Sequence, residues 1–205
     1  MPAPATTVRL PATDSASQKI RSRQDGTRSR ILTESAALFV GQGYEHVSVE
    51  QILAAADIAR SSFYRFFANR EEVLTAIIRP VFAAGLTHLE AVTARDARGI
   101  LDGIFATYLA LWAASPAALR LATRTGGVYF DLFRDLHTPF RERITALLRL
   151  AEPGGQLLNN SAEYSARLLA RAAVPVMEVY HRDVRFAALF QSTMRGLLLR
   201  PGPPV

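Results

Sequence analysis

From residue 27 onward, apolar residues recur at spacings of three and four, no run alternates as a strand does, and glycine or proline interrupts the pattern at intervals. The pattern predicts an all-α fold of about nine helices. Thr27 is placed to cap the first, in which Ile31, Leu32, Ser35, Leu38 and Phe39 share a face, and the GQG of residues 41–43 ends it. Ser48 and Gln51 have the spacing of a capping box, opening a short second helix to Ala55 or Ala56, with Asp57 at the following turn. A third short helix covers Arg60 to Phe66. Asn69 and Glu72 repeat the capping-box spacing at the head of a long fourth helix, within which Pro80 removes a backbone bond and is expected to kink it. Further helices are predicted at 98–114, 116–124, 128–151, 161–181 and 183–199, with Pro139 breaking the seventh near His137.

One polar cluster stands out against this pattern. Residues 56–67, ADIARSSFYRFF, gather Arg60, Ser61, Ser62, Tyr64 and Arg65 around one short helix, and Arg70 follows. Two short helices joined at 56–59, the second polar on its outer side, form the helix-turn-helix arrangement whose second helix enters the major groove of DNA. A merely solvated face is the alternative from pattern alone.

The composition fits both readings. The 205 residues are 49% hydrophobic and 20% charged, enough for a real core in one or two domains. The formal charge of +6 and the pI near 10.3 invite a nucleic-acid partner. Residues 1–80 carry 10 basic and 8 acidic groups and residues 81–205 carry 14 and 10, so only local clusters discriminate. Lys19, Arg21, Arg23, Arg28 and Arg30 stand against Asp25 alone, and Arg60, Arg65 and Arg70 recur without an acid between them.

The absence of cysteine removes disulfides, thiolate zinc sites and cysteine nucleophiles. His46, His88, His137 and His181 lie far apart, and no H-E-x-x-H, G-x-S-x-G or P-loop spacing occurs, so no enzyme, cofactor or metal site is expected. His181 and Asp183 read as a helix junction. Residues 1–26 lack the apolar stretch of a secretory signal and read as a flexible basic arm. The longest apolar run, Gly103 to Ala114, is shorter than the roughly 18 to 20 residues of a membrane span. The chain is expected to be soluble and cytoplasmic, with no membrane partner.

The stretch from Thr27 to Leu74 resembles the tetracycline-repressor-like (TetR) family of bacterial transcription regulators. The resemblance is carried by Ile31-Leu32, Leu38-Phe39, Gly43-Tyr44, Ser48-Val49, Ile52, Ala56, Ile58, Phe63-Tyr64, Phe67 and Arg70-Glu71-Glu72-Val73. It implies that Tyr64 is the recognition-helix tyrosine whose hydroxyl reaches a phosphate. Arg70 stands where a lysine usually opens the fourth helix and meets the DNA backbone. Ser48 and the free amides behind it suit a phosphate. Arg60, Ser61 and Ser62 are the candidates for base edges, and Arg28, with Arg21 and Arg23, for phosphate or minor-groove contacts. Three positions depart from the family pattern. Asp57 replaces the turn glycine, Ala59 replaces a capping Ser or Thr at a cost of about 1 kcal/mol, and Ser61 replaces a small residue, often glycine.

Residues 75–205 match the family only in length and helix content. There the resemblance implies an inducer pocket between the fifth and seventh helices, with Phe105, Tyr108, Trp112, Tyr129 and Phe133 as apolar lining and Arg124, Thr125 and His137 as polar members. Plain core packing is the alternative. It also implies a four-helix dimer interface from the last two helices, with Leu168, Ala172, Val176, Phe186, Phe190, Met194 and Leu197 as candidates and Ala187-Ala188 permitting close approach. The alternative is that these helices only close the monomer core. The expectation is a basic arm at 1–26, a helix-turn-helix domain at 27–74 and a ligand-binding and dimerisation domain at 75–205. Together they make a homodimeric repressor released from a palindromic double-stranded operator by a small apolar or amphipathic effector. A ligand-independent DNA-binding dimer, or an all-α ligand-binding or scaffold protein without DNA recognition, remain open alternatives.

Overall fold

A computed structural model describes residues 13–124 and 133–201. Among the described residues, regular structure consists of α1 (Thr13–Gln42), α2 (Val49–Ala56), α3 (Arg60–Tyr64), α4 (Arg70–Glu90), α5 (Ala97–Ala114), α6 (Pro116–Arg124), α7 (Arg134–Ala151), α8 (Ala162–Tyr180) and α9 (Phe186–Leu198). Short 3-10 turns lie at Tyr44–His46 and Glu152–Gly154, and one isolated antiparallel bridge joins Leu157 to Leu199. The fold is all-α. Residues 125–132, which include Thr125, Tyr129 and the expected start of the seventh helix, lie outside the described residues.

The first helix begins at Thr13, not at Thr27. Residues 13–26 contain no proline and are mostly polar, so extending a helix already packed by Ile31 and Phe39 avoids the cost of nucleation. Thr27 lies inside it, its Oγ1 donating to Arg23 O at 2.9 Å. Gly43, at φ 87°, ends the helix in backbone geometry that favours glycine.

The capping box at Ser48 is complete: Gln51 N donates to Ser48 Oγ at 3.2 Å and Ser48 N to Gln51 Oε1 at 2.7 Å. At α4 only half of the expected box forms. Glu72 N donates to Asn69 Oδ1 at 2.9 Å, but the Glu72 carboxylate accepts from Ala68 N, one residue earlier than expected, at 2.8 Å. Both Pro80 and Pro139 sit inside continuous helices, so Pro139 does not break α7. The last helix starts at Phe186 because Asp183 turns the chain, its carboxylate accepting from Arg185 N at 2.7 Å.

α4 organises the molecule. It packs against α1 in the head and against α5, α6 and α7 in the body. Its Val73, Leu74 and Ile78 are fully buried, and Gly85 lets α7 approach closely: a Cβ there would lie 2.5 Å from Phe140 Cε2 and 3.2 Å from Leu111 Cδ1. By length and composition α4 could cross a membrane, but its apolar face is spent on this core.

Candidate nucleic-acid interface and cavity

The head presents α3 on a rigid support. Asp57 closes α2 in the left-handed region at φ 49° and ψ 58°, a conformation Asp enters more readily than most residues. Ile58 N then donates to Leu53 O at 3.1 Å. Ala59 offers no side-chain cap to α3. Phe63 is fully buried beside Phe67, their ring centroids 6.1 Å apart, and this anchor turns the opposite face outward. On that face Arg60, Ser61 and Arg65 are exposed, Ser62 is half-buried, and Tyr64 is 48% exposed. Five of the expected contact residues, Ser48 included, thus cluster at the α2–α3 corner.

Arg60 is not free. Its Nη2 donates to Glu50 Oε1 of α2 at 2.5 Å. The Glu50 carboxyl is held below the ordinary carboxylate range, first by a backbone hydrogen bond and then by Arg60, while Glu50 raises the Arg60 guanidinium. An exposed pair of this kind adds little stability, but it fixes the fork of the arginine expected to read a base. Glu50 escaped notice in the sequence because its partner lies ten residues away across the turn.

Arg28 lies on the exposed side of α1 with its guanidinium 5.5 Å from the centre of the Phe67 ring. Arg23, Gln24 and Thr27 border one concavity with Ser62, Arg65 and Phe66, so the unexpected N-terminal turns of α1 flank α3 directly. Arg70 is also tied into the head itself. Its Nη1 donates to Val47 O at 2.6 Å, Tyr44 O at 3.1 Å and Glu45 O at 3.2 Å, and the guanidinium stacks 4.7 Å from the Tyr44 ring. It clamps the turn that precedes Ser48 and so sets the start of α2.

The body holds a cavity of about 390 Å³ between α4, α5, α6, α7 and α8. Val81, Phe82, Tyr108, Leu111, Phe133, Phe140 and Ile144 supply apolar wall, and Thr123, His137, Arg141 and Arg171 the polar groups. Three of the expected lining residues, Tyr108, Phe133 and His137, are there. Burial raises the Tyr108 hydroxyl pKa, and burial followed by the Arg141 charge lowers that of His137.

Three others are elsewhere. Phe105 is buried edge-on against Phe190 at 5.8 Å. Trp112 packs 6.0 Å from both His181 and Phe186. Arg124 pairs with Glu178 at 3.1 Å. Helical rotation explains the first two: Tyr108 and Leu111 share the cavity face, and Phe105 and Trp112 turn toward α9 and the α8–α9 junction.

The terminal helices also divide. Phe190 and Met194 are completely buried in the protomer's own core, so they are not surface residues. Leu168, Ala172, Val176, Phe186 and Leu197 are half-buried and pack on that core. Outside them lies a partly apolar face: Val179 is 74% exposed, and Pro175, Ala187, Ala188 and Gly196 are exposed.

Comparison with known proteins places the head. Residues 31–77 match the family of bacterial regulatory proteins, tetR family. Over 125 residues the chain is 33% identical to the HTH-type transcriptional regulator TcmR of Streptomyces glaucescens, a match spanning 53% of each protein, so about half of that relative's length. A bacterial regulatory protein in the tetR family from Rhodococcus RHA1 shares the fold with a TM-score of 0.67 at 16% identity, over 86% of this chain and 98% of that one. SmeT, in a complex with triclosan, does so with a TM-score of 0.56 at 20% identity, over 86% and 93%. Its helix-turn-helix head, residues 31–77, thus matches the tetR family of bacterial regulatory proteins, and its all-helical architecture is shared with solved structures of that family.

Proposed function

We propose that the chain is a homodimeric transcriptional regulator, a repressor that leaves a palindromic operator when a small apolar or amphipathic ligand enters the α4–α8 cavity. One observation carries the reading: a single helix, α4, serves both sites. Its first residue, Arg70, holds the turn before α2 through three carbonyls, and its middle residues Val81 and Phe82 form cavity wall. A ligand displacing Phe82 or Phe140 acts on the element that sets the head.

On the DNA side, Arg60, Ser61 and Ser62 meet base edges, and Tyr64, Ser48 and Arg28 meet phosphates. Such a regulator works in the cytoplasm, where its DNA is. The protomers pair through the outer faces of α8 and α9, where Leu168, Ala172, Val176 and Val179 fall on one helical side and Ala188 and Gly196 allow close approach. Pairing sets two heads roughly 34 to 36 Å apart, one turn of DNA. The triclosan complex of the similar protein SmeT supports a ligand in a fold of this kind.

A gel-shift titration on DNA flanking its own gene tests the reading, followed by a compound screen for release. Half-site mutations that each abolish the shift, together with release by an apolar compound, are expected. Binding that no compound in a chemically broad screen reverses would leave a ligand-independent DNA-binding dimer.

A further inference from the structure

We infer that the cavity takes an amphipathic acid, its carboxylate received by Arg141 and Arg171 at the mouth and its apolar body lying against Phe82, Tyr108 and Phe140. This rests on the reading of the cavity as a ligand site. The described lining contains two arginines and no carboxylate. Arg141 comes from α7 and Arg171 from α8, and both also border the surface groove that runs between these helices, so they stand where the cavity opens outward.

Several other arginines of the body, none of them lining the cavity, have partners. Arg120 and Arg124 share Glu178 at 2.9 and 3.1 Å, Arg149 binds Glu163 at 2.5 Å, Arg195 binds Asp102 at 2.7 Å, and Arg143 donates to Leu89 O at 3.3 Å. Among the described residues, the guanidinium groups of Arg141 and Arg171 make no hydrogen bond or ion pair. The acids of the adjoining groove do not neutralise them. Glu163 is engaged by Arg149, and Glu142 faces the groove without lining the cavity.

The positive field reaches inside. After burial, the Arg141 charge is the second cause that holds the imidazole of His137, a cavity-wall residue, below its ordinary pKa. Among the described lining residues, the two guanidinium groups are the charged groups that face the entrance. Their planar forks match a carboxylate bidentately, and partial exclusion of water at the mouth strengthens the pairing. A neutral apolar ligand would cover two cations without satisfying them, and an amine would be repelled. The volume equals about a dozen waters at about 30 Å³ each, which suits a compact ring system or a medium alkyl chain more than a large conjugate.

The test uses the full-length protein at pH 7.5 and low salt. Three scaffolds, naphthyl, biphenyl and dodecyl, are each offered as carboxylate, primary amide and primary amine, and binding is read by calorimetry and thermal shift. For at least one scaffold the carboxylate should bind ten times more tightly than its amide, and the amine more weakly than either. The combined Arg141→Gln and Arg171→Gln variant should reduce that preference below twofold while leaving the amide's affinity unchanged. Both side chains are exposed, so this variant should melt like the wild type without ligand, and Arg167→Gln, which alters only the groove, should keep the preference. Amides binding as well as acids, or a preference that survives the double substitution, overturns the acid assignment and leaves the cavity reading standing. Failure of every compound to bind overturns both.

Discussion

Replacing Arg70 by alanine separates two jobs that an arginine at the head of α4 can do. Its Nη1 faces three carbonyls, at 2.6 Å from Val47 O, 3.1 Å from Tyr44 O and 3.2 Å from Glu45 O. One such nitrogen carries two hydrogens, so it supplies at most two full bonds. A bond to a charged group is worth about 1.5 to 3 kcal/mol, and a half-exposed site takes the lower end, giving about 3 kcal/mol for two. Stacking on Tyr44 at 4.7 Å adds about 0.5 to 1 kcal/mol. Arg70→Ala should therefore cost about 3 to 4 kcal/mol, a large share of the 5 to 15 kcal/mol typical of a folded domain. Arg70→Lys keeps the charge but not the fork and should recover about half of this. Urea denaturation of the DNA-free chain, followed by circular dichroism, reads the loss, and fluorescence anisotropy on operator and random duplexes reads DNA affinity. A pure phosphate contact predicts the reverse pattern: unchanged denaturation, a salt slope lower by about one, and rescue by lysine. Unaltered DNA-free stability of Arg70→Ala would refute the clamp.

Three further outcomes are expected. Arg60→Ala should lose discrimination among operator bases by about 1 to 3 kcal/mol in competition shifts, and Glu50→Gln should lose part of it by freeing the same guanidinium. Phe190→Ala, which empties a fully buried site beside Phe105, should cost about 3 to 5 kcal/mol in a thermal melt, whereas Val179→Glu on the open face should shift sedimentation toward monomer at nearly unchanged protomer stability. Gly85→Ala gains about 1 kcal/mol of helix propensity and loses about 1 to 3 kcal/mol to crowding, because Phe140 must move. The ring yields into the cavity, so weaker ligand response should accompany a small change in melting temperature.

Helix identities were legible because capping and turn chemistry is local. Ser48 with Gln51, Asp57 in left-handed geometry and Gly43 each act on residues within four positions. The start of α1 was not, because a polar segment without proline is compatible with coil until a packed helix adjoins it. Arg70 illustrates a second limit. Its sequence position reads equally as a phosphate ligand or as a donor to carbonyls 23 to 26 residues away, and only the fold brings those carbonyls into reach. In α5 and α9 apolar residues surround the helix, so periodicity named the aromatic positions without separating cavity wall from core: Tyr108 reached the cavity, while Phe105, Trp112 and Phe190 went to packing. Arg141 and Arg171 were missed because nothing in one sequence relates two arginines on different helices.

Recognition of DNA by a pair of α2–α3 corners is measured as affinity for DNA flanking the protein's own gene against random duplex of equal length over a range of salt concentrations. One protected palindrome, at least a thousandfold preference over random DNA, and affinity that falls steeply and linearly with log salt are expected. Equal affinity for both duplexes at every salt concentration, or no binding at low salt, would contradict such recognition.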